Sequence, residues 1–160
     1  QILELLHRSF NRKLGITHEK EGNDGLDCAV VKYNPSEGII EFAGASIDLF
    51  RVTPKMDVTR IRGDRASLGY RAYDKARDFT SHQLAVDGSA FVLMTDGMPT
   101  QIGAETKRVL GTRRLIEAME NAKDHKPATL VRSLGLALKQ WQGHEERRDD
   151  VSLIAFNLLD

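Results

Sequence analysis

The sequence predicts an α+β layered domain with antiparallel strand pairing. Three features point there: short strand-like runs are grouped in the first part of the chain, two helical patterns come late, and a last apolar strand closes it. Simple alternation of strand and helix is absent, which disfavours a doubly wound parallel sheet. A chain of 160 residues fits one compact domain, because that length can bury about 70% of the surface its unfolded form exposes. With 41% hydrophobic and 29% charged residues the composition lies near the globular average, so residues 1–160 are expected to fold throughout as a single domain.

Leu3, Leu6, Phe10 and Leu14 recur at spacings of three and four, which predicts an amphipathic helix over residues 2–14 ending near Gly15. Cys28 to Tyr33 and Ile39 to Ala43 are β-branched or apolar runs joined by Asn34-Pro35-Ser36-Glu37-Gly38, a turn-forming cluster, and so read as a hairpin. Further short runs follow at Asp48 to Val52 and Val58 to Ile61, and the polar stretch from Arg62 to Asp78 reads as a loop. Phe91-Val92-Leu93-Met94 is an apolar strand, entered through Asp87-Gly88 and left through Asp96-Gly97. Thr112 is placed to cap a helix with Leu115, Ile116 and Met119 facing inward, and Pro127 suits the first position of the next helix. Leu130, Val131, Leu134, Ala137, Leu138 and Trp141 give that helix its apolar stripe, with Trp141 expected against the sheet; Gly143 ends it. The closing strand is Val151 to Leu158, introduced by Arg147-Arg148-Asp149-Asp150.

Lys plus Arg equals Asp plus Glu at 23 each, so no overall field draws the chain to nucleic acid or to an anionic membrane. The single cysteine, Cys28, excludes an internal disulfide and reads as a small core side chain rather than an activated thiolate. No apolar run approaches the roughly 20 residues that span a bilayer, and the start has no signal-peptide pattern, so the chain reads as soluble and cytoplasmic. It lacks an initiating Met and opens directly into a helical pattern, which suggests a fragment of a longer protein.

Two aspartate sites stand at the edges of apolar strands: Asp96 after Phe91 to Thr95, and Asp149-Asp150 before Val151 to Phe156. If those strands are neighbours, the carboxylates converge, and a cluster of hard oxygen donors suits Mg²⁺ or Mn²⁺. The same residues also suit a tight turn and a solvated strand edge, and spacing alone leaves both readings open.

The ordered segments Asp24-Gly25-Leu26-Asp27-Cys28-Ala29, Phe42-Ala43-Gly44-Ala45, Ser67-Leu68-Gly69, Met94-Thr95-Asp96-Gly97, Leu110-Gly111-Thr112-Arg113-Arg114-Leu115 and Arg148-Asp149-Asp150-Val151-Ser152-Leu153 resemble successive motifs of the SpoIIE-like branch of the metal-dependent (type 2C, PPM) serine/threonine protein phosphatases. The resemblance runs from about Leu3 to Leu158. It implies an αββα sandwich of antiparallel sheets flanked by helices, a two-metal Mn²⁺ or Mg²⁺ centre, and hydrolysis of phosphoserine or phosphothreonine on a regulatory protein in bacterial signalling. Asp96, with Gly97, matches the metal-binding T-D-G segment and Asp149 the second metal-binding aspartate. Asp150 falls where relatives carry Asp or Asn, as a further metal-site candidate that positions its neighbour. Such a centre activates a water, so no protein nucleophile is needed.

The chain departs from the family in two places. The G-D and D-V-S-G-H-G-like motifs, whose aspartates complete the metal centre, do not occur before residue 15, so part of the centre is expected upstream. Where relatives read A-G-H-P-P the chain has Ala43-Gly44-Ala45-Ser46-Ile47.

Among the other polar residues, Arg62 and Arg65 are the substrate-binding candidates, with Arg60 and Arg71 nearby, because Arg suits bidentate phosphate contacts. His7, His18, His82, His125 and His144 show no zinc-like spacing and are assigned to surface or helix positions, and Asp24 and Asp27 to turn and packing roles. The resemblance implies a phosphorylated partner of the anti-sigma-antagonist-like kind, a homodimer as one possible assembly, and membrane attachment only through regions outside the chain, as in the cytoplasmic domain of a membrane-anchored sensor. The alternative reading is a phosphatase-like binding or dimerisation module without catalysis.

Overall fold

The computed structural model describes residues 2–13, 25–69 and 78–158. In chain order the elements are α1 (Ile2–Lys13), β1 (Cys28–Asn34), β2 (Ile39–Ala45), β3 (Leu49–Val52), β4 (Val58–Ile61), β5 (His82–Ala85), β6 (Ala90–Met94), α2 (Gly97–Thr100), α3 (Gly111–Glu120), α4 (Pro127–Gln142) and β7 (Leu153–Asn157). They group into two compact units, Gln1–Asp48 with Arg62–Ala85 and Leu49–Ile61 with Val86–Asp160. None of the described helices is long and apolar enough to cross a membrane.

The first unit is a three-stranded antiparallel sheet in the order β1-β2-β5. The expected hairpin is present, in register from Cys28↔Ala45 to Asn34↔Ile39. Side chains alternate between the faces of a strand; Cys28, Val30, Ala43 and Ala45 share one face and pack with Leu3, Ala66, Leu68 and Phe79. Helix α1 matches the expected span up to Leu14, which lies outside the described residues, but its buried row is Leu3 and His7 rather than Leu3 and Leu6. His7 sits one turn from Leu3, and its Nδ1 accepts the Gly69 N–H at 3.1 Å, which gives that buried ring nitrogen a partner inside the unit. Strand β5 carries no apolar run in His82-Gln83-Leu84-Ala85 to mark it in the sequence; its register comes from backbone pairing with β2.

The second unit is a four-stranded antiparallel sheet in the order β4-β3-β6-β7. Phe50, Val52, Ala90, Val92 and Met94 pack with Leu115 and Met119 of α3 and Leu130, Leu134 and Leu138 of α4. Val131, expected in the α4 stripe, is exposed; it stands about 100° around the helix from Leu130, outside the narrow row spaced by four. Thr112 makes no capping bond: the position before α3 is Leu110, which is buried with its N–H donated to the Gln101 carbonyl at 2.9 Å. Strand β6 enters through a locked turn in which Arg51 Nε donates to Ser89 Oγ at 3.0 Å and Ser89 Oγ to Asp87 at 2.6 Å, while Arg51 also pairs with Asp87.

Candidate metal centre

Strand β6 is the central element of the site because it is buried and paired on both edges, with β3 and with β7. Its pairing with β7 runs from Ala90↔Asn157 to Met94↔Leu153, so the apolar runs before Asp96 and after Asp149 are adjacent strands, as expected. The ladder continues past the strand ends. Thr95 N–H donates to Ser152 O at 3.0 Å, Thr95 Oγ1 donates to Asp150 O at 3.1 Å, and the same hydroxyl accepts Ser152 N–H at 2.9 Å. Thr95 therefore stitches the segment bearing Asp96 to the segment bearing Asp149.

One residue further on the two backbones touch. A Cβ at Gly97 would lie 2.4 Å from Asp150 O and 3.3 Å from Asp149 O, so a glycine is required by space at this crossing. Gly97 is buried, whereas Asp96, Asp149 and Asp150 are exposed. The Asp96 carbonyl receives Thr100 N–H and Oγ1, but its carboxylate makes no hydrogen bond or ion pair among the described residues. Asp149 Oδ1 accepts Asp150 N–H at 2.8 Å, which orients that carboxylate.

Two exposed carboxylates on touching backbone segments suit a hard divalent cation, although such a cation takes about six oxygen ligands. Among the described residues no group of three or more His, Cys, Asp or Glu side chains gathers at one point. Asp96 and Asp149 by themselves are fewer oxygen ligands than such a cation takes.

Arg62 and Arg65 are exposed and belong to the first unit, while both aspartate segments belong to the second; Arg71, Asp24 and His18 fall outside the described residues. Asp27 is exposed and accepts a hydrogen bond from Ser67. Cys28 is half-buried rather than fully enclosed, and burial pushes its thiol pKa up, away from the thiolate a nucleophile needs. Sequence reasoning passed over Thr95 as a residue with a role of its own, although its place in T-D-G, between an apolar strand and an acidic residue, was the available signal.

A model of the family described as Stage II sporulation protein E (SpoIIE) matches residues 1–159. The chain belongs to the SpoIIE family. Its fold is that of solved type 2C phosphatase domains, two antiparallel sheets flanked by helices. The SiaA PP2C domain of Pseudomonas aeruginosa is similar at a TM-score of 0.79 and 22% identity, over 98% of this chain and 59% of that one. The phosphatase domain of SpoIIE from Bacillus subtilis, presoaked with manganese, is similar at 0.61 and 15% identity, over 97% and 66%. The catalytic domain of the serine/threonine phosphatase PstP, in complex with two manganese ions, is similar at 0.66 and 12% identity, over 98% and 68%. The chain spans about three-fifths of the SiaA domain and about two thirds of the other two. No curated protein matches it at a significant level.

Proposed function

We propose that the chain is part of a metal-dependent phosphatase domain that hydrolyses phosphoserine or phosphothreonine on a regulatory protein in bacterial signalling. The observation that carries this reading is the backbone crossing at Gly97 and Asp150, which sets the Asp96 and Asp149 segments side by side in a SpoIIE-family chain. Asp96 and Asp149 would hold Mn²⁺ or Mg²⁺, in keeping with the manganese in PstP and the manganese-soaked SpoIIE domain. When bound, such a cation lowers the pKa of a coordinated water and neutralises phosphoryl oxygens. The Asp150 N–H bond to Asp149 Oδ1, the Thr95 hydrogen bonds and the close approach at Gly97 support this reading. Arg62 and Arg65 are proposed as phosphate-facing side chains on the strength of their exposure and charge.

The test uses the natural full-length protein. Release of phosphate from a phosphoserine or phosphothreonine protein should require Mn²⁺ or Mg²⁺ and should be lost in Asp96→Asn and Asp149→Asn. Absence of turnover with every divalent cation, in a protein that still binds a phosphorylated partner, would favour the non-catalytic module instead.

A further inference from the structure

Gln101, one residue past α2, is fully buried at 0% exposure, an unusual place for an amide. Both of its Nε2 hydrogens are committed: one to Ile102 O and one to Glu146 O, each at 3.0 Å. Its Oε1 has no partner among the described residues. A buried acceptor left unpaired is destabilising, and an apolar side chain of similar size would avoid that cost. Packing alone therefore does not account for a glutamine here; its use lies in what the amide holds.

The Glu146 carbonyl is three residues before Asp149. Just beyond Asp149, the Asp150 carbonyl is held by Thr95 Oγ1. The short segment that carries Asp149 is thus fastened at both ends by the segment that carries Asp96, through Thr95 immediately before that aspartate and Gln101 five residues after it. The fastening is itself braced. Gln101 O accepts Leu110 N–H at 2.9 Å, and on the other side Gln142 Nε2 donates to Glu145 O at 2.8 Å while Arg147 donates to Gln142 Oε1 at 2.8 Å.

We infer that Gln101 is a positioning residue for Asp149, setting the placement of that carboxylate relative to Asp96. The inference rests on the reading of the two aspartates as metal ligands. Groups that orient a ligand without touching the metal commonly govern affinity, because the cation demands fixed ligand positions.

The experiment compares wild type, Gln101→Met, Gln101→Asn and Asp149→Asn in the natural full-length protein, with Mn²⁺ alone as the probe. Free Mn²⁺ is read by electron paramagnetic resonance, amide hydrogen exchange is followed at residues 146–150, and melting is recorded for each variant. Gln101→Met keeps the volume and removes both donors; Gln101→Asn keeps the amide with a shorter reach and serves if the first variant does not fold. The expected result is a Kd for Mn²⁺ raised about 10-fold, the range usual for such supporting residues, with faster exchange at 146–150 and only the modest fall in melting temperature that two lost hydrogen bonds bring. Unchanged Mn²⁺ affinity and exchange in the Gln101 variants, with binding lost in Asp149→Asn, would overturn the inference and leave the metal reading standing. Wild-type Mn²⁺ binding in Asp149→Asn would overturn the metal reading, and the inference with it.

Discussion

The backbone at Gly97 passes so close to Asp150 that a Cβ on residue 97 would stand 2.4 Å from the Asp150 carbonyl oxygen. The obstacle is main chain and has no rotamer to escape into. Gly97→Ala should therefore cost about 1–3 kcal/mol, as overpacking in a filled site does, and should weaken Mn²⁺ binding by spreading the two aspartate segments. Urea unfolding and a Mn²⁺ titration on the same variant check this; an unchanged midpoint would mean that the crossing is loose.

Asp96 and Asp149 are exposed, so their fold contribution is small while their proposed chemical one is large. Asp96→Asn and Asp149→Asn should change stability by no more than about 0.5 kcal/mol, as surface substitutions do. Turnover in the natural full-length protein should fall about 100-fold or more, the order that follows from losing several kcal/mol of charge stabilisation. Circular dichroism melts and phosphate release, measured side by side, separate the two effects.

Thr95→Val removes the hydroxyl that accepts Ser152 N–H and donates to Asp150 O while keeping the β-branched shape. A loss of about 1–2 kcal/mol is expected for these hydrogen bonds, and Thr95→Ser should recover most of it. Equal stability of the Val and Ser variants would show that the hydroxyl is not holding the segment.

Trp141 is half-buried rather than enclosed against the sheet. Its Nε1–H donates to Arg108 O at 3.1 Å, its ring lies over Gly103, and the Arg114 guanidinium stacks 4.1 Å from its centroid. Trp141→Ala should cost about 2 kcal/mol, below the about 3–5 kcal/mol of a fully buried aromatic, and Trp141→Phe less. Chemical denaturation of both variants would show whether ring packing or the polar contacts matter more.

The Asp87 carboxyl is held below the usual aspartate range, first by the hydrogen bond from Ser89 and then by the charge of Arg51. A pKa depressed in the folded state adds stability above the unfolded value of 3.8, and that stability is lost as pH falls through the lowered folded value. Asp87→Asn should accordingly lie furthest below wild type in stability near neutrality and converge with it in acid. Urea midpoints across pH 7 to pH 2 would reveal this; a constant gap would remove the ionised carboxylate from the account.

Much was legible in the sequence because it depends on local pattern. The apolar alternation and the Asn34 to Gly38 turn set the β1–β2 hairpin, the i, i+4 leucines and Pro127 set α4, and the ordered motifs around Asp96 and Asp149 marked the candidate site. Even the adjacency of β6 and β7 could be anticipated from two apolar runs, each flanked by carboxylates. What only the tertiary structure decided were features created by contacts between distant residues. His7 displaced Leu6 from the buried row of α1 because Gly69 supplies its hydrogen bond, and β5 exists because β2 offers a free edge. Trp141 stays half-buried at the edge of the core, its ring on Gly103 and its Nε1–H on Arg108 O. Gln101 carries no local sign of burial; its role appears only when the chain returns at Glu146, since a hydrogen bond between residues 45 positions apart leaves no trace in periodicity or propensity.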